Sequence, residues 1–279
     1  MTKVQKTYFN YAHLRYYEAQ KKSLQSAAGV GNFDRVYGLG INEIDEDFYQ
    51  QNRVILSTPN GAGLWVWKYY LMVKLLSDKC VIAQTIPEGS WIFYGDADME
   101  FIGPVDFLID CLARDPDDSS VMVFRSPAPY IQDLQCKADA FILTDTDTPE
   151  IRNSTTRGGG LFLCRKDDIA REFFQETLRY ACDRRIIDAR IPNQMGRANP
   201  PEFIRHADDE ALISIMAKKH RLYPYRWPAT DSLEESTNRV RVTTLGGTNN
   251  QPARWFTLYE YPALTPGRSA YPKLMVGGH

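Results

Sequence analysis

Trp91-Ile92-Phe93-Tyr94-Gly95-Asp96-Ala97-Asp98-Met99-Glu100-Phe101 is the stretch on which the fold turns. Four apolar residues in a row read as a buried strand that stops at a glycine. Two carboxylates follow with one residue between them. Open α/β sheets bind ligands outside the carboxyl ends of their strands, so Asp96 and Asp98 stand where a ligand would lie. Two hard oxygen donors suit Mg²⁺ or Mn²⁺, ions that share their shell with substrate phosphates. Four Asp-x-Asp pairs occur: 45/47, 96/98, 115/117 and 145/147. Only 96/98 follows an apolar strand, and the other three read as solvated loop charges. The competing reading of 96/98 is a strand-end turn without a metal.

Outward from this stretch, the flanking segments alternate between strand and helix patterns. Thr7 to Tyr11 reads as a first strand, and Leu14 to Ala28 has helical spacing with Gly29 and Gly31 as stop signals. Phe33 to Gly38 is a second strand. A β-α-β opening predicts a parallel sheet with right-handed crossovers. Residues 44–52 read as helical. Gly61-Ala62-Gly63 then precedes an apolar, aromatic helix that runs to about Leu76. Glycines let a backbone approach a ligand, and Lys68 in the first turns is a candidate phosphate contact. The plainer reading is a glycine turn before a core helix.

Further along, 104–112 reads as a short helix, 121–124 as a strand and 141–143 as another. Residues 144–157 read as a polar surface loop. Gly158-Gly159-Gly160 enters an apolar strand, where a sugar can lie against bare backbone; a flexible hinge is the alternative. Asp168 to Ala181 is an amphipathic helix, and 186–201 a loop. His206-Ala207-Asp208-Asp209-Glu210 opens a helix over 211–220. Acids at a helix start are favoured by its dipole, and Asp208 is the expected cap. Three adjacent acids exceed what one cap needs. The irregular, Pro- and Gly-containing segment over 226–279 reads as a tail wrapping the domain.

Composition narrows the function classes. A chain of 279 residues with 43% apolar content is one large domain or two small ones. Net charge is −2 with no basic block, which argues against a nucleic-acid partner. No run of 18 apolar residues occurs, the first residues lack the apolar stretch expected of a secretory signal, and five scattered cysteines without Cys-x-x-Cys spacing fit reduced thiols. The expected compartment is the cytoplasm.

Three motifs stand in one order: Gly-Ala-Gly-Leu-Trp-Val-Trp-Lys (61–68), Phe-Tyr-Gly-Asp-Ala-Asp (93–98) and His-Ala-Asp-Asp-Glu-Ala-Leu-Ile-Ser (206–214). Together they resemble GT-A-fold glycosyltransferases of bacterial and viral polysaccharide synthesis. The resemblance covers roughly residues 7–225. Leu64, Tyr69 and Glu210 depart from the pattern, which favours Tyr, Pro and Gln there. It implies a Rossmann-like, mixed, mainly parallel sheet flanked by helices, in a single domain over 1–225. The nucleotide half would span about 1–103 and the acceptor half about 104–225.

The resemblance also implies Mn²⁺ or Mg²⁺ on Asp96 and Asp98, with His206 as a further metal ligand or a phosphate contact. A nucleotide-diphosphate sugar (UDP- or GDP-linked) would be the donor, held by Tyr11 (base stacking), Asp34, Gly61, Gly63, Lys68 and Gly159. Asp209 and Glu210 would stand beside the sugar ring. The expected activity is sugar transfer to a glycan or other hydroxyl acceptor, with retention of configuration. Alternatives are an inverting enzyme, a sugar nucleotidyltransferase and a non-catalytic carbohydrate-binding protein. The nucleotidyltransferase reading lacks its Gly-rich, basic loop after the first strand.

Overall fold

A computed structural model describes residues 3–101, 103–115, 117–126, 130–225, 228, 239–244 and 254–259. Strand β1 (Lys6–Tyr11) and helix α1 (Tyr17–Gly29) are followed by β2 (Arg35–Leu39). Helix α2 (Val66–Leu76) precedes β3 (Trp91–Gly95), the strand that ends in Asp-x-Asp, and the short β4 (Met99–Phe101). Then come α3 (Asp106–Ala113), β5 (Val121–Arg125), β6 (Arg157–Arg165), α4 (Asp168–Ala181), α5 (Asp208–Lys219) and β7 (Pro224–Tyr225). The main sheet has the order β2-β1-β3-β6-β5-β7. β1 runs parallel to β2 and β3, and β5 runs parallel to β7. β6 alone runs against its neighbours β3 and β5. This is the mixed, mainly parallel sheet flanked by helices that the sequence led one to expect.

The central strands are apolar throughout because both faces are covered. Phe9, Tyr11, Ile92, Tyr94, Val121, Val123, Phe162 and Cys164 face one core, shared with α2, α4 and α5. Their neighbours Tyr8, Phe93, Met122, Phe124, Leu161 and Leu163 face the other, shared with α3. This is the period of two expected of strands buried on both sides. Helix α4 starts at Asp167, whose carboxylate accepts from the Ala170 N–H at 3.1 Å. It buries Ala170, Phe173, Phe174, Thr177 and Ala181, a stripe at helical spacing.

Several expectations need correcting. Residues 138–143 form a helical turn and not a strand, placing Ala138 and Phe141 in the interior one turn apart. The polar segment 144–157 is not simply a surface loop. Thr148 caps a short helix over Pro149–Arg152, and Thr144, Thr146 and Arg152 are buried. The other Asp-x-Asp pairs also hold structure: Asp115 accepts from the Tyr225 hydroxyl, and Asp147 pairs with Arg152 and Arg197. Within the segment read as an irregular tail, β8 (Arg239–Thr244) and β9 (Arg254–Tyr259) are strands that extend β4 into an antiparallel sheet. The rest of that segment lies outside the described residues.

Candidate active site

The three motifs meet at the carboxyl end of β3. The Asp96 N–H donates to the Gly160 carbonyl at 2.9 Å, so the strand-end turn is pinned to β6. The Asp96 carboxylate accepts from the Tyr94 hydroxyl at 2.6 Å and stands 3.8 Å from the Lys68 ammonium. Lys68 is buried and donates to Asp209 at 2.6 Å and to the Gly159 carbonyl at 2.9 Å. The Tyr69 hydroxyl donates to the Asp209 carbonyl at 2.8 Å. One lysine from α2 thus joins the carboxylate after β3 to the carboxylate that opens α5.

Bare backbone in β6 makes this possible. A Cβ on Gly160 would stand 2.8 Å from an Asp96 carboxylate oxygen, and one on Gly159 would stand 3.2 Å from an Asp209 oxygen. The glycine run therefore admits two carboxylates against the strand, which is neither a hinge nor a direct sign of sugar contact.

The electrostatics follow from burial. Desolvation opposes charge on Lys68, but Asp209 and Asp96 outweigh it and hold its pKa above the ordinary value. Glu210 lies one residue on. Burial first, and Asp209 second, push its carboxyl up to about 7, against the lowering effect of Ser126, Arg205 and Lys68. Glu210, Asp209, Asp208, Lys68, Asp96 and Arg205 line a pocket of about 230 Å³. Beside it, sharing Trp65 and Asp96, lies a pocket of about 690 Å³ walled by Tyr16, Trp65, Trp67, Tyr94 and Asp98. A third, of about 730 Å³, adjoins that one through Tyr11, His13, Pro59 and Ala62.

Asp96, Asp98, Gly61, Lys68, Gly159, Asp209 and Glu210 are brought together around these pockets, with Tyr11 at their edge. Their roles shift in detail. Lys68 is committed to Asp209 and is a fixed internal cation, not a free phosphate arm. The Tyr11 ring stacks on Trp67 at 3.9 Å and is 4% exposed, so that face is already taken. Gly63 is a packing glycine: its Cβ would meet the Leu56 backbone at 2.9 Å.

Two candidates fall outside the cluster. Asp34 precedes β2, and β2 runs parallel to β1 and β3, so it sits at the opposite end of the sheet from Asp96, roughly 16 Å away along a five-residue strand. There it accepts from the Lys6 N–H at 2.8 Å and stands 3.6 Å from Lys3. His206 is buried among Lys137, Ile186 and Asp188, and its Nδ1 accepts from the Lys137 N–H at 3.3 Å. Burial and Lys137 lower its pKa to about 3. It lines neither pocket that Asp96 lines, and a metal role for it does not fit. Among the described residues no group of three or more His, Cys, Asp or Glu side chains forms a metal-ligand set.

Asp208 is not the cap of α5. The helix begins at Asp208 itself, after Ala207, and Asp208 takes a left-handed φ of 44°. Its carboxylate accepts from Asn60 and from the Ala189 N–H, both at 3.2 Å. Asn60, Arg205, Trp65 and Ser126 were not picked out from the sequence; Asn60 stands directly before the glycine run, which was a usable signal. The sequence also hides that Gly61, Ala62, Gly63, Leu64 and Trp65 all have positive φ, a left-handed turn that carries the Trp65 ring to the pocket wall.

No family model and no curated protein matches this sequence. Among solved structures the chain is similar to mouse xyloside xylosyltransferase 1, with 9% identity, a TM-score of 0.41, and 78% of this chain and 82% of that one covered. It is similar to the bifunctional glycosyltransferase WbbM, with 9% identity and a TM-score of 0.43, covering 82% of this chain but only 39% of that one. It is also similar to the galactosyltransferase LgtC, with 11% identity, a TM-score of 0.36, and 75% and 70% covered. No helix among the described residues is long and apolar enough to cross a membrane.

Proposed function

We propose that this chain is a metal-dependent glycosyltransferase that moves a sugar from a nucleotide-diphosphate sugar to a hydroxyl acceptor, with retention of configuration. The observation that carries the reading is the junction of Asp96, Lys68 and Asp209 over the bare backbone of Gly159 and Gly160. It lies at the carboxyl end of β3, beside a pocket large enough for a nucleotide. A non-catalytic sugar-binding module has no use for a buried lysine bridging two aspartates next to a carboxyl raised to about 7.

Asp96 and Asp98 are the residues that would hold Mg²⁺ or Mn²⁺. They wall the same pocket, and the Asp96 side chain is 40% exposed, with Lys68 too far at 3.8 Å to satisfy it fully. Two carboxylates are a partial shell, which fits an ion completed by substrate phosphates and water. Bound there, the ion would neutralise charge on the departing nucleoside diphosphate. The aromatic wall of Tyr16, Trp65 and Tyr94 would cover the nucleoside and exclude water. Burial raises the Asp209 pKa, and Lys68, donating at 2.6 Å, opposes that rise and holds the carboxyl beside the smaller pocket, where a carboxylate stabilises an oxocarbenium-like sugar.

A second reading, inversion, is favoured by Glu210. A carboxyl titrating near 7 is matched to accept a proton from an acceptor hydroxyl. The test of the function is release of sugar from a panel of UDP- and GDP-sugars, with and without Mn²⁺. NMR of the first-formed product then reads the anomeric configuration. Retention is expected; an inverted product together with a large loss of kcat in Glu210→Gln favours Glu210 as the base.

A further inference from the structure

Two turns further along α5 lies a second buried polar cluster that the transfer reaction does not use. Arg157, the first residue of β6, is 6% exposed, and its Nη1 is buried without a hydrogen-bond partner. Gln132 is fully buried. Its Oε1 accepts from both the Ser214 hydroxyl and the Lys218 ammonium, which fixes the orientation of the carboxamide. Its Nε2 is then a donor, and it too is buried with no acceptor. The Ser214 hydroxyl accepts from the backbone N–H of Arg157 at 2.8 Å, which pins the start of β6 to the Ser214–Gln132 pair.

The charges around this cluster have one sign. Arg125 faces Arg157 across the β5–β6 pair. Among the described residues no carboxylate forms an ion pair with Arg157 or Lys218. The acids close by in the chain, Asp133 and Asp147, are taken by Arg152. Burying like charges without a counter-ion, and leaving N–H groups without acceptors, is costly on both counts. Burial and then Arg157 push the Lys218 ammonium down to about 7, in keeping with that cost. Two buried donors without acceptors, on Arg157 and Gln132, and an Arg157 charge close enough to act on Lys218 are the complement of an anion.

We propose that the buried polar cluster between the start of β6 and the second half of α5 is an anion site. A small inorganic anion of halide size is held there by the Arg157 guanidinium, the Lys218 ammonium and the Gln132 carboxamide. It supplies the missing counter-charge and the missing acceptor, and so locks β6 to α5 behind the pocket. The proposal stands apart from the transfer reaction and survives if that reading fails.

The test compares melting in sodium bromide with melting in sodium gluconate, an anion too large to enter, at matched sodium concentration. Bromide at tenfold its Kd raises the melting temperature by roughly 4 °C through linkage. In crystals soaked in bromide, an anomalous peak stands within hydrogen-bond distance of Arg157 Nη1. Lys218→Met loses most of the bromide shift. Equal melting temperatures in the two salts with no anomalous peak, the result for a site filled by water alone, overturn the proposal. A Lys218→Met variant that keeps the full bromide shift overturns it as well, because the anion then binds elsewhere.

Discussion

Helix α5 carries two buried polar clusters, and they resolve the cost of buried charge in opposite ways. At its first turn, Asp209 is matched by Lys68 at 2.6 Å, and the same ammonium stands 3.8 Å from Asp96. Two turns on, Lys218 and Arg157 carry like charge, and donors on Arg157 and Gln132 find no acceptor. The first cluster holds its counter-ion within the chain, so its geometry is set before any ligand arrives. That is what a preorganised reaction centre requires. The second is incomplete as a set of side chains, which is the mark of a place that takes a guest. Removing a cation should therefore cost far more in the first place than in the second.

The largest expected effect is on Lys68. Lys68→Met leaves Asp209 buried without its partner and should cost about 3–5 kcal/mol of stability, read by urea unfolding. Adding Asp209→Leu should return more than half of that, since no lone charge then stays inside. Lys218→Met, by contrast, should change stability by less than about 1 kcal/mol in halide-free buffer, because it relieves repulsion as it removes a hydrogen bond. Equal losses for the two lysine variants would break the comparison.

Glu210 gives the next effect, through pH. Its carboxyl is raised from 4.5 to about 7, so the folded chain holds a proton that the unfolded chain has already lost. The stabilisation is complete below pH 4.5 and disappears as pH rises to 7, a span worth about 3 kcal/mol. Glu210→Gln should flatten that slope between wild-type melting curves taken across this range. An unchanged slope would place Glu210 in water and not in the pocket wall.

A smaller effect separates the glycines. The resemblance places Gly63 against the nucleotide, so a side chain there would cost affinity more than stability. Its φ of +107° and its contact with the Leu56 backbone reverse that order. Gly63→Ala should cost about 1–2 kcal/mol through backbone strain, as measured by thermal unfolding. Gly160→Ala has no such φ and instead pushes the Asp96 carboxylate aside. It should lower kcat/KM by about tenfold or more with little change in melting temperature.

Much of this arrangement was legible in the sequence. The strand before Asp96, the amphipathic helix from Asp168 and the helix after His206 were placed within a few residues, because buried strands and amphipathic helices carry their period in the chain. The meeting of Asp96 and Asp209 was legible only as the order of three motifs. What the sequence hid depends on long-range contact. Lys68 reads as a free phosphate arm until a carboxylate some 140 positions away in the chain is seen to hold it. Asp208 reads as a cap until the backbone turns left-handed and aims its carboxylate at Asn60 and Ala189. His206 and Asp34 resemble ligands by residue type alone, and the sheet places one in the interior and the other at the wrong end of the strands. Arg157 was lost in a segment read as polar surface, since nothing local signals that its guanidinium is buried.

The most direct test of the active-site assignment is the rate at which sugar is released from the nucleotide sugar that most stabilises the wild-type chain, with Mn²⁺ present. It is measured side by side on wild type and Asp98→Ala of matching circular dichroism. A strand-end metal site predicts that release by wild type collapses when EDTA is added and is abolished in Asp98→Ala, by at least about a hundredfold. Wild-type release by Asp98→Ala in the presence of EDTA would contradict it and place the chemistry away from the end of β3.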